Sequence, residues 1–387
     1  MKKSTQEKNK KILIFISNGL GEVEFIYPYL SLINTDNLDI RFLYLEKKIF
    51  QKASSDLLWS SLIKQNNFKT IFLNNNVDEI TRTYFFEDII KKFHIFIRLV
   101  WNILFTDILI IDYGQIRAKF CNVARFFAIL LNKKIIAMPH TSNADYLFNI
   151  NEIPSLEDRK KLGYNSSRDK EVCMSLDPYS FSYNYYFLNF KNQIFVGNPR
   201  RNKKFLEFVS SITHKNTNYI LYCSFYANKK LYSLQSKENH FINMYKLVRK
   251  YYPNYKILVT LHPREKPADI KNIILKYNCE NVEISKLNTM LLSKNAELTI
   301  GTITSAMYCP LYFGRNSINY WEEDEKYYSY VGHSHPLDYL EVKHAKNTHE
   351  LEKLIQMHLN GESFNSKFFN PSHNKIRNIF NSSDGDV

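Results

Sequence analysis

The sequence predicts an α/β protein built from two doubly wound parallel sheets, each covered by helices, with the two domains facing one cleft. Three observations carry that expectation. The chain has 387 residues, too many for one ordinary core and enough for two domains of roughly 150–200 residues. Short apolar runs alternate with longer stretches of helical period, the pattern of parallel crossover units. That alternation runs from residue 11 to about residue 140, lapses, and begins again near residue 219.

Taken in order, residues 11–16 are an apolar run that predicts a buried strand feeding a tight turn at Ser17-Asn18-Gly19-Leu20-Gly21. Only 10 glycines occur in the chain, so glycines directly after a strand mark a turn that needs them. Val23, Ile26, Tyr27, Leu30 and Ile33 then recur at helical spacing. Strands are predicted at 39–45 and 69–73, a long apolar helix over 85–105, a strand at 107–112, a helix over 117–131 and a strand at 134–138. Residues 149–192, rich in Tyr, Ser, Asn and Asp, read as an irregular connection. A short strand at 193–196 ends in Gly197-Asn198-Pro199-Arg200 and is taken as the entry to the second domain.

Beyond it, strands are predicted at 219–223, 256–261, 282–284, 297–300 and 316–320, the last of them the final clear strand. Helices are predicted over 238–252, 267–277, 287–293, 304–313 and 348–359. Pro310 lies inside the 304–313 helix and removes one of its backbone hydrogen bonds. The domains are thus expected at 1–192, with a linker from about 149, and at 193–371, followed by a loose polar tail at 372–387.

Lys plus Arg exceed Asp plus Glu by 52 − 38 = 14. Such a surplus suits nucleic acid, an anionic membrane face or anionic small molecules such as sugar nucleotides. The basic residues are spread along the chain and follow no zinc-ligand spacing or RNP-like aromatic pattern, which argues against nucleic acid. The 5 cysteines are odd in number and far apart, as expected of a reducing cytoplasm. Residues 1–11 are polar and Lys-rich and run straight into a strand, so no secretory leader is expected. The most apolar stretch, 93–111, contains His94, Arg98 and Asp107 and does not read as a membrane span. Residues 91–101 mix basic and bulky apolar side chains. They read first as a helix covering the sheet, with contact to an anionic membrane surface as the second reading.

In open parallel sheets ligands sit at the carboxyl ends of the strands, and that rule sorts the polar residues. Thr260-Leu261-His262-Pro263-Arg264 places an imidazole and a guanidinium at such an end. Both can hydrogen-bond a nucleotide phosphate and stabilise it as it leaves. Taken alone, a histidine capping a loop carbonyl is the commoner explanation of His262, and the place of the motif in the second half, followed by the next motif, reverses that balance. Gly301-Thr302-Ile303-Thr304-Ser305-Ala306 sets hydroxyls and free backbone N–H groups at a predicted helix start. That is an anion site or an ordinary N-cap. Ser224 ends the first strand of the second domain and can reach phosphate. In the first half, His140 and Asp145 follow a strand end and suit an acceptor-side base or positioning pair, whereas Asp112 reads as a turn residue. The Asp-x-Asp pair Asp384/Asp386 lies in the tail, and His333 and His335 lie in a Tyr-rich loop. No metal is therefore expected.

The order of these motifs, a strand-borne His-Pro followed about 40 residues later by a Ser/Thr turn, resembles three bacterial families of surface-polysaccharide assembly. They are the sialyltransferases, the Kdo transferases and the CDP-glycerol polymerases, all of the glycosyltransferase-B (GT-B) fold. The resemblance implies that His262, Pro263, Arg264, Thr304 and Ser305, with Thr302 in the same turn, hold the phosphate of a cytidine nucleotide. Ser17 to Glu24 is similar to the Gly-Glu turn after the first strand of Kdo transferases, though nothing beyond Gly-Glu matches. Glu22 would then be the base that takes the acceptor proton, with His140 as the alternative and a helix-dipole role for Glu22 as the plainer reading. Gly197 to Arg200 is similar to the turn that opens the C-terminal domain of sugar-nucleotide epimerases and related capsule enzymes, which sets Arg200 among the nucleotide-binding residues.

The expectation is an inverting, metal-independent transferase of the cytoplasm, with a place at the inner face of the cytoplasmic membrane as the second reading. It would move a CMP-activated acidic sugar, sialic acid or Kdo, to a glycan or lipid-linked glycan of a capsule, lipooligosaccharide or O-antigen. A UDP-sugar or CDP-polyol transferase, a UDP-sugar 2-epimerase and a catalytically silent glycan-binding assembly partner stay open as alternatives.

Overall fold

A computed structural model of the chain describes residues 10–17, 20–30, 38–66, 68–74, 85–112, 119–138, 170–175, 190–196, 199–213, 218–227, 233–262, 265–302, 304–322 and 342–362. They fall into two compact units that divide between Phe205 and Leu206.

In the first unit the chain runs β1 (Lys10–Ile16), α1 (Leu20–Leu30), β2 (Leu38–Glu46), α2 (Lys47–Ser55), α3 (Leu57–Asn66) and β3 (Lys69–Asn74). It continues with α4 (Phe85–Leu104), β4 (Ile108–Asp112), α5 (Lys119–Leu130), β5 (Lys134–Met138), β6 (Glu171–Ser175) and β7 (Asn192–Phe195). The strands form one sheet in the order β3-β2-β1-β4-β5-β6-β7, and every pairing is parallel. Residues 12–16 of β1 are all buried. A strand covered on both faces reads as a continuous apolar run for that reason.

α6 (Lys203–Ser211) leads into the second unit, which holds β8 (Tyr219–Cys223), α7 (Leu234–Tyr251), β9 (Lys256–Thr260), α8 (Pro267–Lys276) and β10 (Val282–Ile284). α9 (Thr289–Ser293), β11 (Thr299–Gly301), β12 (Ser317–Tyr320), β13 (Lys343–Ala345) and α10 (Thr348–Leu359) complete it. Its six strands lie in the order β10-β9-β8-β11-β12-β13, again all parallel. Local signals explain the helices. Ser233 caps α7 by accepting the Ser236 N–H at 3.0 Å, Pro267 pre-sets the first turn of α8, and Asn347 caps α10 by accepting the Glu350 N–H at 2.9 Å. The core gathers Phe241, Met244 and Val248 of α7 against Tyr222, Val259 and Ile300 of the sheet.

Four local expectations are corrected. The strand near 193 does not open the second domain: Asn192–Phe195 is hydrogen-bonded to β6 at the edge of the first sheet. β6 lies in the segment whose composition reads as irregular; it buries Glu171, Cys173 and Ser175 while Val172 and Met174 stay half-exposed, the reverse of the usual strand pattern. Arg125 of α5 makes that burial possible, its Nε lying 2.6 Å from Glu171 Oε1. β13 was missed because it is a three-residue, largely polar edge strand. The predicted helix over 304–313 is instead two 3-10 turns, Ser305–Tyr308 and Leu311–Phe313. Pro310 has no N–H to continue a helix, and Gly314 closes the segment at φ +67°.

The α4 expectation also needs amendment. Its inner face packs Leu99 and Ile103 into the core, as a covering helix should. Ile90, Phe93, Ile97, Trp101 and Leu104 nonetheless stand exposed on the other side.

Candidate functional site

In the second unit β8 lies inside the sheet. The chain adds β9 and β10 on one side of it and then β11, β12 and β13 on the other. The order therefore reverses between β8 and β11, and the crevice outside their carboxyl ends is where an open α/β sheet binds its ligands. Ser224 leaves β8, His262 follows β9, and Thr302 and Thr304 follow β11. Strand order alone thus brings most of the expected nucleotide-binding positions to one edge. Gly301 allows the close approach: a Cβ there would lie 2.9 Å from both Cβ and carbonyl O of Cys223, its register partner on β8.

One carboxylate organises this edge. Glu265 Oε1 accepts the Ser224 hydroxyl at 2.8 Å and pairs with the Lys237 ammonium from α7, both side chains being fully buried. Glu265 Oε2 accepts the His262 backbone N–H at 3.1 Å, and the Glu265 N–H returns to the His262 carbonyl at 2.8 Å. The loop after β9 is therefore pinned at both ends to one charge pair. Burial pushes the Glu265 carboxyl up from the ordinary carboxylate range, and Lys237 opposes the shift. The half-buried His262 ring packs against Phe225 (centroids 5.5 Å apart) and Tyr226 (5.0 Å), both from the loop after β8.

The remaining expected residues divide. Thr302 is buried, and its hydroxyl donates to the Tyr320 carbonyl at 3.2 Å, tying β11 to β12. Thr304 Oγ1 accepts the Ala306 N–H at 3.3 Å and caps the first 3-10 turn. Ser305 opens that turn. Four residues of 3-10 helix carry much less dipole than the full helix that was expected. Pro263 and Arg264 lie outside the described residues, as does the Ser305 side chain. Arg200 belongs to the first unit rather than the second. Its Nη2 lies 2.9 Å from Glu24 Oε2, its Nε donates to the Glu24 carbonyl at 3.3 Å, and its guanidinium stacks 4.7 Å from the Phe25 ring centroid. The turn that carries it follows the edge strand of the first sheet, so the sequence position that suggested a second-domain role belongs to the first.

The first sheet reverses between β1 and β4. Ser17 leaves β1, and Glu22 in the first turn of α1 reaches back to it: Glu22 Oε2 accepts the Ser17 N–H at 2.8 Å and Oε1 accepts the Ser17 hydroxyl at 3.0 Å. Glu22 is 1% exposed. The Ser17 hydroxyl also lies 3.1 Å from Cys121 Sγ of α5, and Asp112 ends β4, buried. Burial pushes the Cys121 thiol up to about 12, with the negative charges of Glu22 and Asp112 adding to the rise. Glu22 and Asp112 thus lie near enough to act on the buried Cys121 thiol, which Ser17 links to Glu22. His140 and Asp145 lie outside the described residues, as do His333, His335, Asp384 and Asp386. Among the described residues no three His, Cys, Asp or Glu side chains are grouped to hold a metal ion.

Sequence reasoning missed Lys237 and Glu265. A signal for the lysine exists: Lys237, His240, Phe241, Met244 and Val248 recur at helical spacing on the buried stripe of α7, and a charge on an apolar stripe demands a partner.

No known protein family matches the chain, and no curated protein does. Solved structures resemble it in shape. A Staphylococcus structure described as S. aureus MnaA with UDP has a TM-score of 0.57 at 11% identity, covering 93% of this chain and 90% of that one. A UDP-GlcNAc 2-epimerase from Methanocaldococcus jannaschii has a TM-score of 0.53 at 11% identity, covering 91% and 94%. Arabidopsis thaliana UGT89C1 complexed with UDP has a TM-score of 0.53 at 11% identity, covering 97% and 96%. At such identities the likeness shows the fold alone, which is GT-B: two parallel Rossmann-like sheets of seven and six strands.

Proposed function

We propose that the protein is a nucleotide-sugar glycosyltransferase that binds its donor nucleotide at the reversal point of the second sheet. The observation that carries this reading is that strand order brings Ser224, His262 and the Thr304-Ser305 turn to one edge of the second sheet, where Glu265 holds Ser224 and His262. Lys237 spends its charge on Glu265, so it is not available to a phosphate. The positive potential for the leaving nucleotide comes from the His262 ring, Arg264 and turn N–H groups. On the first sheet Glu22 takes the acceptor hydroxyl's proton as that oxygen attacks the anomeric carbon, and the nucleotide phosphate departs with the bonding electrons. His140 is the alternative base. The motif resemblance points to a CMP-activated acidic sugar and a cell-surface glycan acceptor, while two of the structures of like fold are described with UDP.

A titration panel of CMP, CDP, UDP and GDP tests the reading. One pyrimidine nucleotide should stabilise the wild-type chain, and His262→Ala should weaken it roughly ten- to a hundredfold, the loss of one charge-assisted contact. Unchanged affinity in the variant overturns the role of His262. Silence across all four nucleotides favours a glycan-binding partner without catalysis.

A UDP-sugar 2-epimerase is the second reading, because a protein of like fold is described as one. Incubation with UDP-GlcNAc and NMR of the sugar separates them: appearance of the 2-epimer without an acceptor establishes epimerisation. Under the transferase reading, turnover should survive excess EDTA, since cationic side chains and peptide N–H groups replace a metal at the phosphates. Loss of activity in EDTA that magnesium or manganese restores overturns this.

A further inference from the structure

The outer faces of α4 and α5 form an apolar surface that stays exposed among the described residues. Ile90, Phe93, Ile97, Trp101 and Leu104 are exposed along α4, and Phe126 and Leu130 are exposed along α5. They recur every three or four residues, opposite the stripe that packs Leu99, Ile103, Ala124 and Ala128 inward. The two helices are locked side by side by Phe96 and Phe127, whose rings meet edge to face at 5.5 Å. A contiguous exposed patch of this kind marks a docking surface rather than scattered surface hydrophobes.

Charge identifies the occupant. Glu87 and Asp88 at the start of α4 and Asp107 beyond its end are outnumbered by Lys91, Lys92, His94, Arg98, Lys119, Lys133 and Lys134 along the two helices and their ends, while Arg125 is buried against Glu171 and adds nothing to this surface. Lys92 and His94 stand exposed beside the patch. Lys133 donates from its ammonium to the Leu104 carbonyl at 3.0 Å, which holds a positive charge at the end of α4. Two copies of this chain meeting through such a face would bring like charges together, which argues against a homodimer here. A bilayer of anionic lipid matches both properties: acyl chains take the apolar ridge and headgroups take the basic rim. Trp101, edge to face with Phe105 at 4.9 Å, is the side-chain type that favours the boundary between headgroup and acyl chain. No helix among the described residues is long and apolar enough to cross a membrane, so α4 would lie in the interface plane.

We propose that the α4–α5 face docks the protein on an anionic lipid surface. Tryptophan fluorescence of the full chain reads it directly, because Trp101 is 61% exposed while Trp59 and Trp321 are 2% and 4% exposed. Vesicles containing phosphatidylglycerol should co-sediment the protein and shift its emission to the blue, and pure phosphatidylcholine vesicles should do so far more weakly. Added salt should reduce binding. Trp101→Phe should keep binding and lose the spectral shift. Trp101→Glu with Phe126→Glu, at two exposed positions, should lower vesicle affinity at least about tenfold with an unchanged melting temperature. The proposal is overturned by equal binding of the double variant, by vesicle binding without a blue shift, or by a dimer that the double variant splits while no vesicle binds.

Discussion

Lys237→Met is expected to destabilise the second unit by about 3–5 kcal/mol, the usual cost of leaving one member of a buried ion pair without its partner. For a unit of this size that corresponds to a fall of roughly 6–20 °C in melting temperature. The Glu265 side chain is fully buried, and burial already pushes its carboxyl up. With Lys237 gone, the carboxylate must either take a proton or rupture the turn. Adding Glu265→Leu should restore part of the stability, since no charge is then stranded. It should not restore nucleotide binding, because the Ser224 hydroxyl and the His262 N–H lose the oxygens that hold them. Calorimetry with nucleotide titration of the single and double variants separates the two effects. Parallel recovery of stability and affinity would show that Glu265 supports the fold without organising the site.

Glu22→Gln is expected to lower turnover about a hundredfold or more while nucleotide affinity stays nearly intact, the signature of a lost general base. The carboxylate sits at the reversal point of the first sheet, oriented by two donors of Ser17, whereas the nucleotide residues belong to the other unit. Glutamine keeps the shape and one acceptor oxygen but cannot take a proton. If the variant instead loses stability and keeps turnover, Glu22 only closes the turn after β1. If His140→Ala shows the kinetic pattern in its place, the base is His140.

The sequence was enough for the parallel sheets because their central strands are buried on both faces. The runs at β1, β8 and β9 leave little else for such apolar segments to form. It was enough, too, for the edge of the second sheet where Ser224, His262 and Thr302 emerge, since each directly follows such a run. It failed where a strand is defined by its neighbours rather than by its own pattern. β6 buries a glutamate only because Arg125 arrives from α5, and β7 belongs to the first sheet only because β6 pairs with it.

Arg200 follows the same rule. Its turn looked like the start of a second domain, but Glu24 and Phe25 bind it to α1. Lys237 and Glu265 lie 28 residues apart, and local periodicity has no means of pairing charges at that distance. By itself the sequence determined which segments must be buried and which polar residues stand at their ends, because burial is written in the composition of each run. Only the tertiary structure decided which of those ends lie at one sheet edge, which charges neutralise one another, and which apolar side chains of α4 stay exposed. Those outcomes depend on strand order and on what packs against what, which no single segment encodes.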